Sequence, residues 1–233
     1  MNILFLPSWY ESEEEPASGS FFTEQAIALK DMGNSVTLAI VDIINFPYKT
    51  KRKMYEIIHE TRHGLDVYRI KVPSFMTGQI PAAFFKYYSH YYFKLYRYLT
   101  DVLGLSFNVI YAHSFWHAGY IATLLKKRFD IPVIVQEHRS MLITGEFKDN
   151  VNPYLKRTIR DSDAFYCVSS RLRDTVMERV GLENKLEILP NMIDARFQYH
   201  TPPDSSTFAF SFVGSLTERK RIKQLLNCYS RFL

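Results

Sequence analysis

The chain has 233 residues, long enough for one large domain or one domain plus a piece of another. Its 47% hydrophobic and 23% charged residues are those of an ordinary globular protein, and no apolar run approaches the ~20 residues needed to cross a bilayer. The net charge of +5 favours anionic partners: nucleotides, phospholipid surfaces or nucleic acid. Cys167 and Cys228 offer neither a disulfide framework nor metal spacing. The N-terminus lacks the basic start and small-residue cleavage site of a signal peptide, so the expected compartment is the cytoplasm.

In chain order, short apolar runs predict strands at 3–7, 36–41, 66–71, 109–112, 133–137, 164–169 and 186–189. Several are almost wholly apolar, as strands covered on both faces are. Helical periodicity falls between them at 21–32, 82–103, 115–129, 153–162 and 170–179, with Gly33 and Gly181 at the expected C-caps. The alternation predicts an α/β class, a Rossmann-like doubly wound parallel sheet. A polar, proline-bearing stretch at 200–207 reads as a linker, dividing a domain at 1–199 from an incomplete second unit at 208–233. That second unit is expected to hold one strand, over 208–214, and one helix from Lys220 onward. It stops without a cap, as a truncated domain would.

Ligands of open α/β sheets bind beyond the carboxyl ends of the strands. Here those ends carry a loop with Gly19 before a helix, "HSFWHAG" with His113 and His117, and Glu137 followed by His138. The Gly19 loop ends on a helix N-terminus, which suits a phosphate but equally suits a simple serine-rich cap. His113 and His117 lack a third ligand with sensible spacing, so no metal is expected; sugar contact or a structural role remain. His138 suits either a bond to a hydroxyl or phosphate oxygen or a plain edge role.

Four stretches together resemble family 4 glycosyltransferases of the GT-B fold: "GSFFTEQAIALKDMGNSVTLA", "SSRLRDTVMERVG", "ILPNMIDARF" and "FSFVGSLTERKRIKQLL". The resemblance implies a GT-B N-terminal domain that binds the acceptor, followed by the start of a nucleotide-sugar-binding domain. It implies transfer of a sugar from a nucleotide-sugar donor to a glycan or lipid-linked acceptor, with retention of configuration, in cell-envelope polysaccharide synthesis. By the same resemblance His138 lies at the reacting sugar, and Gly19, Gly214 and Lys220 meet the donor. His113, His117 and Glu137 are then placed on the acceptor side. No cofactor or metal is implied, because cationic side chains stabilise the departing diphosphate. Ser215 replaces the family's arginine, Met192 replaces a turn glycine, and the acidic pair that holds the donor would lie beyond Leu233. The isolated chain is therefore expected to turn over little.

Residues 82–99 form an aromatic and basic helix of their own kind. A helical wheel puts Phe84, Tyr88, Tyr91, Leu95, Tyr98 and Leu99 on one face and Lys86, His90, Lys94 and Arg97 on the other. The helix either packs on the sheet or lies in an anionic membrane surface on its inner face; the basic run 48–53 reads as a solvated loop rather than a lipid contact. Two alternatives to the transferase stand: a sugar-nucleotide epimerase, and a non-catalytic acceptor-binding protein. A nucleic-acid module does not fit, since basic and aromatic residues do not interleave on a strand platform.

Overall fold

The computed structural model describes residues 1–12, 15–45, 54–74, 80–182, 186–193, 197–199, 201, 210–214, 216 and 218–232. The chain divides into two compact units, Met1–Asp194 and Ala195–Leu233.

The first unit is an eight-stranded sheet in the order β3-β4-β2-β1-β5-β6-β7-β8. Its strands are β1 (Asn2–Pro7), β2 (Ser35–Ile44), β3 (Ile57–Arg62), β4 (Leu65–Pro73), β5 (Val109–His113), β6 (Val133–Glu137), β7 (Ala164–Cys167) and β8 (Glu187–Ile188). All neighbours pair in parallel except β3, which runs antiparallel to β4. The sheet is thus the expected Rossmann-like one, with an antiparallel edge added. Strand β3 escapes the search for apolar runs because it is an edge strand with only half-buried and exposed residues. Its hairpin signal is present nonetheless: His63 and Gly64 both take positive φ (51° and 72°), as a two-residue turn between twisted strands demands.

Helices cover both faces. α1 (Ser20–Asp31) closes one core with Phe5, Phe22, Leu38 and Val67; α2 (Pro81–Arg97), α3 (Tyr120–Phe129), α4 (Met141–Thr144), α5 (Asn152–Asp161) and α6 (Ser170–Val180) close the other. The expected caps are met: Gly33 and Gly181 take φ of 85° and 63°, and Leu182 N–H reaches back to the Met177 carbonyl.

The sequence wheel for α2 is corrected in detail. Phe84, Tyr88, Leu95 and Leu99 are buried as expected, but so are Phe85, Tyr92 and Tyr96, while Tyr91 and Tyr98 are only half-buried. The apolar sector is wide because α2 packs on neighbouring helices as well as the sheet. Phe85 meets Tyr120 and Tyr154 (4.3 and 5.0 Å between centroids) and Tyr96 meets Phe129 (4.5 Å). This face belongs to the core, so it does not sit among lipid headgroups. Lys86, His90, Lys94 and Arg97 remain exposed along the other side. The helix ends in a π-helical turn, Tyr98–Val102. No described helix is long and apolar enough to cross a membrane. The basic run 48–53 lies outside the described residues.

In the second unit the described residues contain a short 3-10 turn, Glu218–Lys220, and the helix α7 (Ile222–Phe232). Residues 210–214 of the expected strand form no ladder, and Ser215 lies outside the described residues. Leu225, Leu226 and Tyr229 on α7 are exposed.

Candidate active site at the carboxyl ends of the strands

The loops after β1, β5 and β6 are tied together by a few buried polar groups. Ser8 Oγ donates toward the carbonyls of His113 (2.6 Å) and Trp116 (2.9 Å) and accepts from the Ala118 N–H (3.1 Å). Glu137 is fully buried; its Oε1 accepts the N–H groups of His138 (2.9 Å) and Arg139 (2.7 Å), and its Oε2 accepts that of Phe115 (2.6 Å). Burial raises its pKa, and these three bonds and Arg139 oppose the rise. The acceptor contact expected of Glu137 is therefore corrected: with both oxygens engaged and no exposure, it holds the β5 and β6 loops in place.

The tied loop after β5 carries strain. Ser114 takes φ 67° and ψ 138°, and His117 takes φ 83° and ψ −86°, the rare γ-turn region for a residue with a side chain. Gly119 makes the tight return possible, since a Cβ there would lie 2.7 Å from the Ser114 carbonyl oxygen. The strain aims the two histidines apart. His117 turns toward the carboxyl end of β1, where its Nδ1–H donates to the Ser8 carbonyl (3.1 Å). That bond fixes the tautomer and leaves Nε2 as a lone-pair acceptor, buried and without a partner among the described residues. Burial pushes the His117 pKa down to about 4, with the Arg139 charge adding to the effect, so the ring is neutral at pH 7.

His113 turns the other way. It is fully buried among the rings of Phe5, Phe22 and Tyr111, with Nδ1 3.0 Å from His138 Nε2. His138 in turn packs on Phe21 and Phe22 (5.2 Å each). Gly19 stands at the N-cap of α1 with φ 73°, and a Cβ there would come within 2.9 Å of Phe22. Gly19, Phe22, His138 and His113 thus form one chain of contacts. Burial holds His113 well below the usual histidine range and His138 at about 3; the nearby Asn191 side chain opposes the latter shift weakly. The 3.0 Å separation is that of a hydrogen bond between the two rings. Among the described residues no trio of His, Cys, Asp and Glu is placed to hold a metal.

On the other side of Trp9 lies an open pocket of about 630 Å³. Its walls are Ser8, Trp9 and Tyr10 after β1, Val41–Ile44 at the end of β2, Lys71 on β4, Phe84 on α2, Trp116 and His117 after β5, and Arg139 after β6. Of the expected site residues only His117 lines it. His113 and His138 do not. Gly214 and Lys220 are exposed in the second unit. Met192 is exposed and takes no left-handed φ, so the missing glycine leaves no strain of that kind.

A family profile described as Glycosyltransferase Family 4 matches residues 19–197. The chain belongs to glycosyltransferase family 4. Among curated proteins none matches it significantly. Solved structures give the same fold for this family 4 chain. HepE from Anabaena, solved with UDP and glucose, is 15% identical with a TM-score of 0.51, over 87% of this chain and 47% of its own. The catalytic domain of starch synthase IV from Arabidopsis thaliana, bound to ADP and acarbose, is 13% identical with a TM-score of 0.51, over 84% of this chain and 52% of its own. The N-terminal domain of trehalose-6-phosphate phosphatase from Candida albicans is 12% identical at the same TM-score, over 84% of this chain and 49% of its own. The chain spans about half the length of these structures. At such identities the likeness establishes the Rossmann-like fold shared with GT-B enzymes.

Sequence reasoning missed most of the family 4 pocket. Trp9, Asp42, Lys71, Trp116 and Arg139 come from five separate strand ends, and only the strand order unites them. A usable signal existed in "PSWY" and "HSFWH", where a tryptophan follows a buried strand.

Proposed function

We propose that this chain is the acceptor-binding side of a retaining glycosyltransferase that moves a sugar from a nucleotide-sugar donor to a glycan or lipid-linked acceptor, in polysaccharide synthesis at the cell envelope. The observation that carries this reading is the open pocket at the carboxyl ends of β1, β2 and β4, beside the Gly19–His138 cluster, in a chain of family 4. In a doubly wound sheet that edge is where ligands sit. On this reading the acceptor enters the pocket and the donor sugar lies toward His138. His138, neutral in its apolar setting, acts as a hydrogen-bond partner to the sugar and not as an acid. The free N–H groups at the start of α1, where Gly19 admits close approach, favour the donor diphosphate. Lys220 in the second unit supplies a cation to the leaving group, whose charge grows as the glycosidic bond breaks. That HepE was solved with UDP and starch synthase IV with ADP supports a nucleoside diphosphate as that group.

The test is transfer. The protein is incubated with labelled UDP-, GDP- and ADP-sugars and a panel of saccharide and lipid-linked acceptors. We expect transfer, with the donor's anomeric configuration kept in the product. His138→Ala should lower the rate by about a hundredfold, the size seen when one transition-state hydrogen bond is removed. Epimerised donor sugar formed without any acceptor would sink the reading.

A further inference from the structure

The pocket wall holds an arginine whose guanidinium has few hydrogen-bond partners among the described residues. Arg139 has five N–H donors. Its guanidinium lies over the Trp9 ring, 4.6 Å from the centroid, and Nη1 donates only to the Met141 sulfur at 3.8 Å. Nε is buried with no partner among the described residues. The buried Glu137 carboxylate offsets part of the Arg139 charge through space, but its oxygens accept backbone N–H groups and no guanidinium hydrogen bond reaches them. The other acids of the pocket do not fill the gap. Asp42 lies 3.4 Å from the buried Arg69, and Glu15 stands exposed at the rim. Lys71, buried at the end of β4, also lines the wall.

Arginine is suited to such a place by its planar fork, which matches the two oxygens of a carboxylate or phosphate. Stacking on Trp9 holds the plane fixed while leaving its edge available. The remaining walls suit a sugar ring. Trp9, Trp116 and Phe84 present aromatic surface. We propose that the pocket receives a saccharide bearing a negative charge, a carboxylate or a phosphate, which is bound by Arg139. This rests on the reading of the pocket as the acceptor site and specifies the acceptor's chemistry.

The test is a titration of the 233-residue chain, followed by tryptophan fluorescence and saturation-transfer NMR, with matched saccharides. The carboxylate arm compares methyl glucuronide with methyl glucoside and methyl galacturonide with methyl galactoside; the phosphate arm compares glucose 6-phosphate with glucose. The charged member of at least one arm is expected to bind at least about tenfold more tightly, the gain of one charge-assisted bidentate contact. The arm that shows the preference identifies the anion. The preference should shrink with added salt, vanish in Arg139→Gln, and survive in part in Arg139→Lys, which keeps charge without the fork. Thermal unfolding checks that each variant is folded, and Arg139→Lys decides the matter if Arg139→Gln is not. Equal affinity for charged and neutral partners, no saccharide binding at all, or a preference unchanged in Arg139→Gln would overturn the proposal. The transferase reading fails separately, if no nucleotide sugar is turned over with any acceptor.

Discussion

His113, His117 and His138 are each kept neutral by burial, which strips water from an imidazole more readily than the protein restores it. A depressed pKa means that the unfolded chain binds more protons than the folded one wherever the pH lies below about 6.5, the ordinary histidine value. Stability is then complete above that pH and is lost as the pH falls toward the folded values, near 4 for His117 and 3 for His138. Urea unfolding at pH 7.5, 6 and 5 should show stability nearly level above about pH 6.5 and falling below it, toward roughly 1.4 kcal/mol per pH unit for each fully buried histidine. Replacing His117 by Gln should flatten the slope by about one histidine's share; a slope left unchanged would contradict this account of the ring. Gly119 is the other residue to test here. Ala at that position brings a methyl group within 2.7 Å of a backbone oxygen in an already strained turn. We expect a loss of about 1–3 kcal/mol in chemical denaturation, the usual cost of overpacking.

At the scale of elements, α2 divides cleanly into a core face and a basic face. Tyr92 is 1% exposed and packs edge-on against His117. Tyr92→Ala should cost about 3–5 kcal/mol in urea unfolding, as for other buried aromatics cut to alanine. The exposed row of Lys86, His90, Lys94 and Arg97 should behave oppositely. Gln at all four positions should leave stability nearly unchanged, each within about 0.5 kcal/mol. If the chain docks on anionic lipid through this row, the same change should abolish its salt-sensitive sedimentation with phosphatidylserine vesicles. Binding that survives the change would rule that surface out.

The parallel strands were legible in the sequence because burial on both faces writes itself as short apolar runs; 133–137 matches β6 residue for residue. Edge strand β3 was not, since only one of its faces meets the core. The breadth of the α2 core face was not legible either, because a wheel drawn for one neighbour cannot show α3 and α5. For the site, spacing was the weaker guide. His113 and His117 are close in sequence, yet the strained loop between them sends one to His138 and the other to the pocket.

At the scale of the molecule, the strand order places two distinct chemistries side by side at one sheet edge. A neutral, aromatic-lined cluster around Gly19 and His138 lies on the α1 side, and an open pocket walled in part by Arg139 lies beyond Trp9. On the proposed reading the first takes the donor sugar and the second the acceptor. The central claim is that Met1–Asp194 forms the acceptor-binding half. Calorimetric titration of the 233-residue chain with UDP, GDP and ADP, set beside the saccharides, tests it most directly. Measurable saccharide binding that is weakened in Arg139→Gln is expected. Micromolar affinity for a nucleoside diphosphate, unaccompanied by saccharide binding, would contradict it.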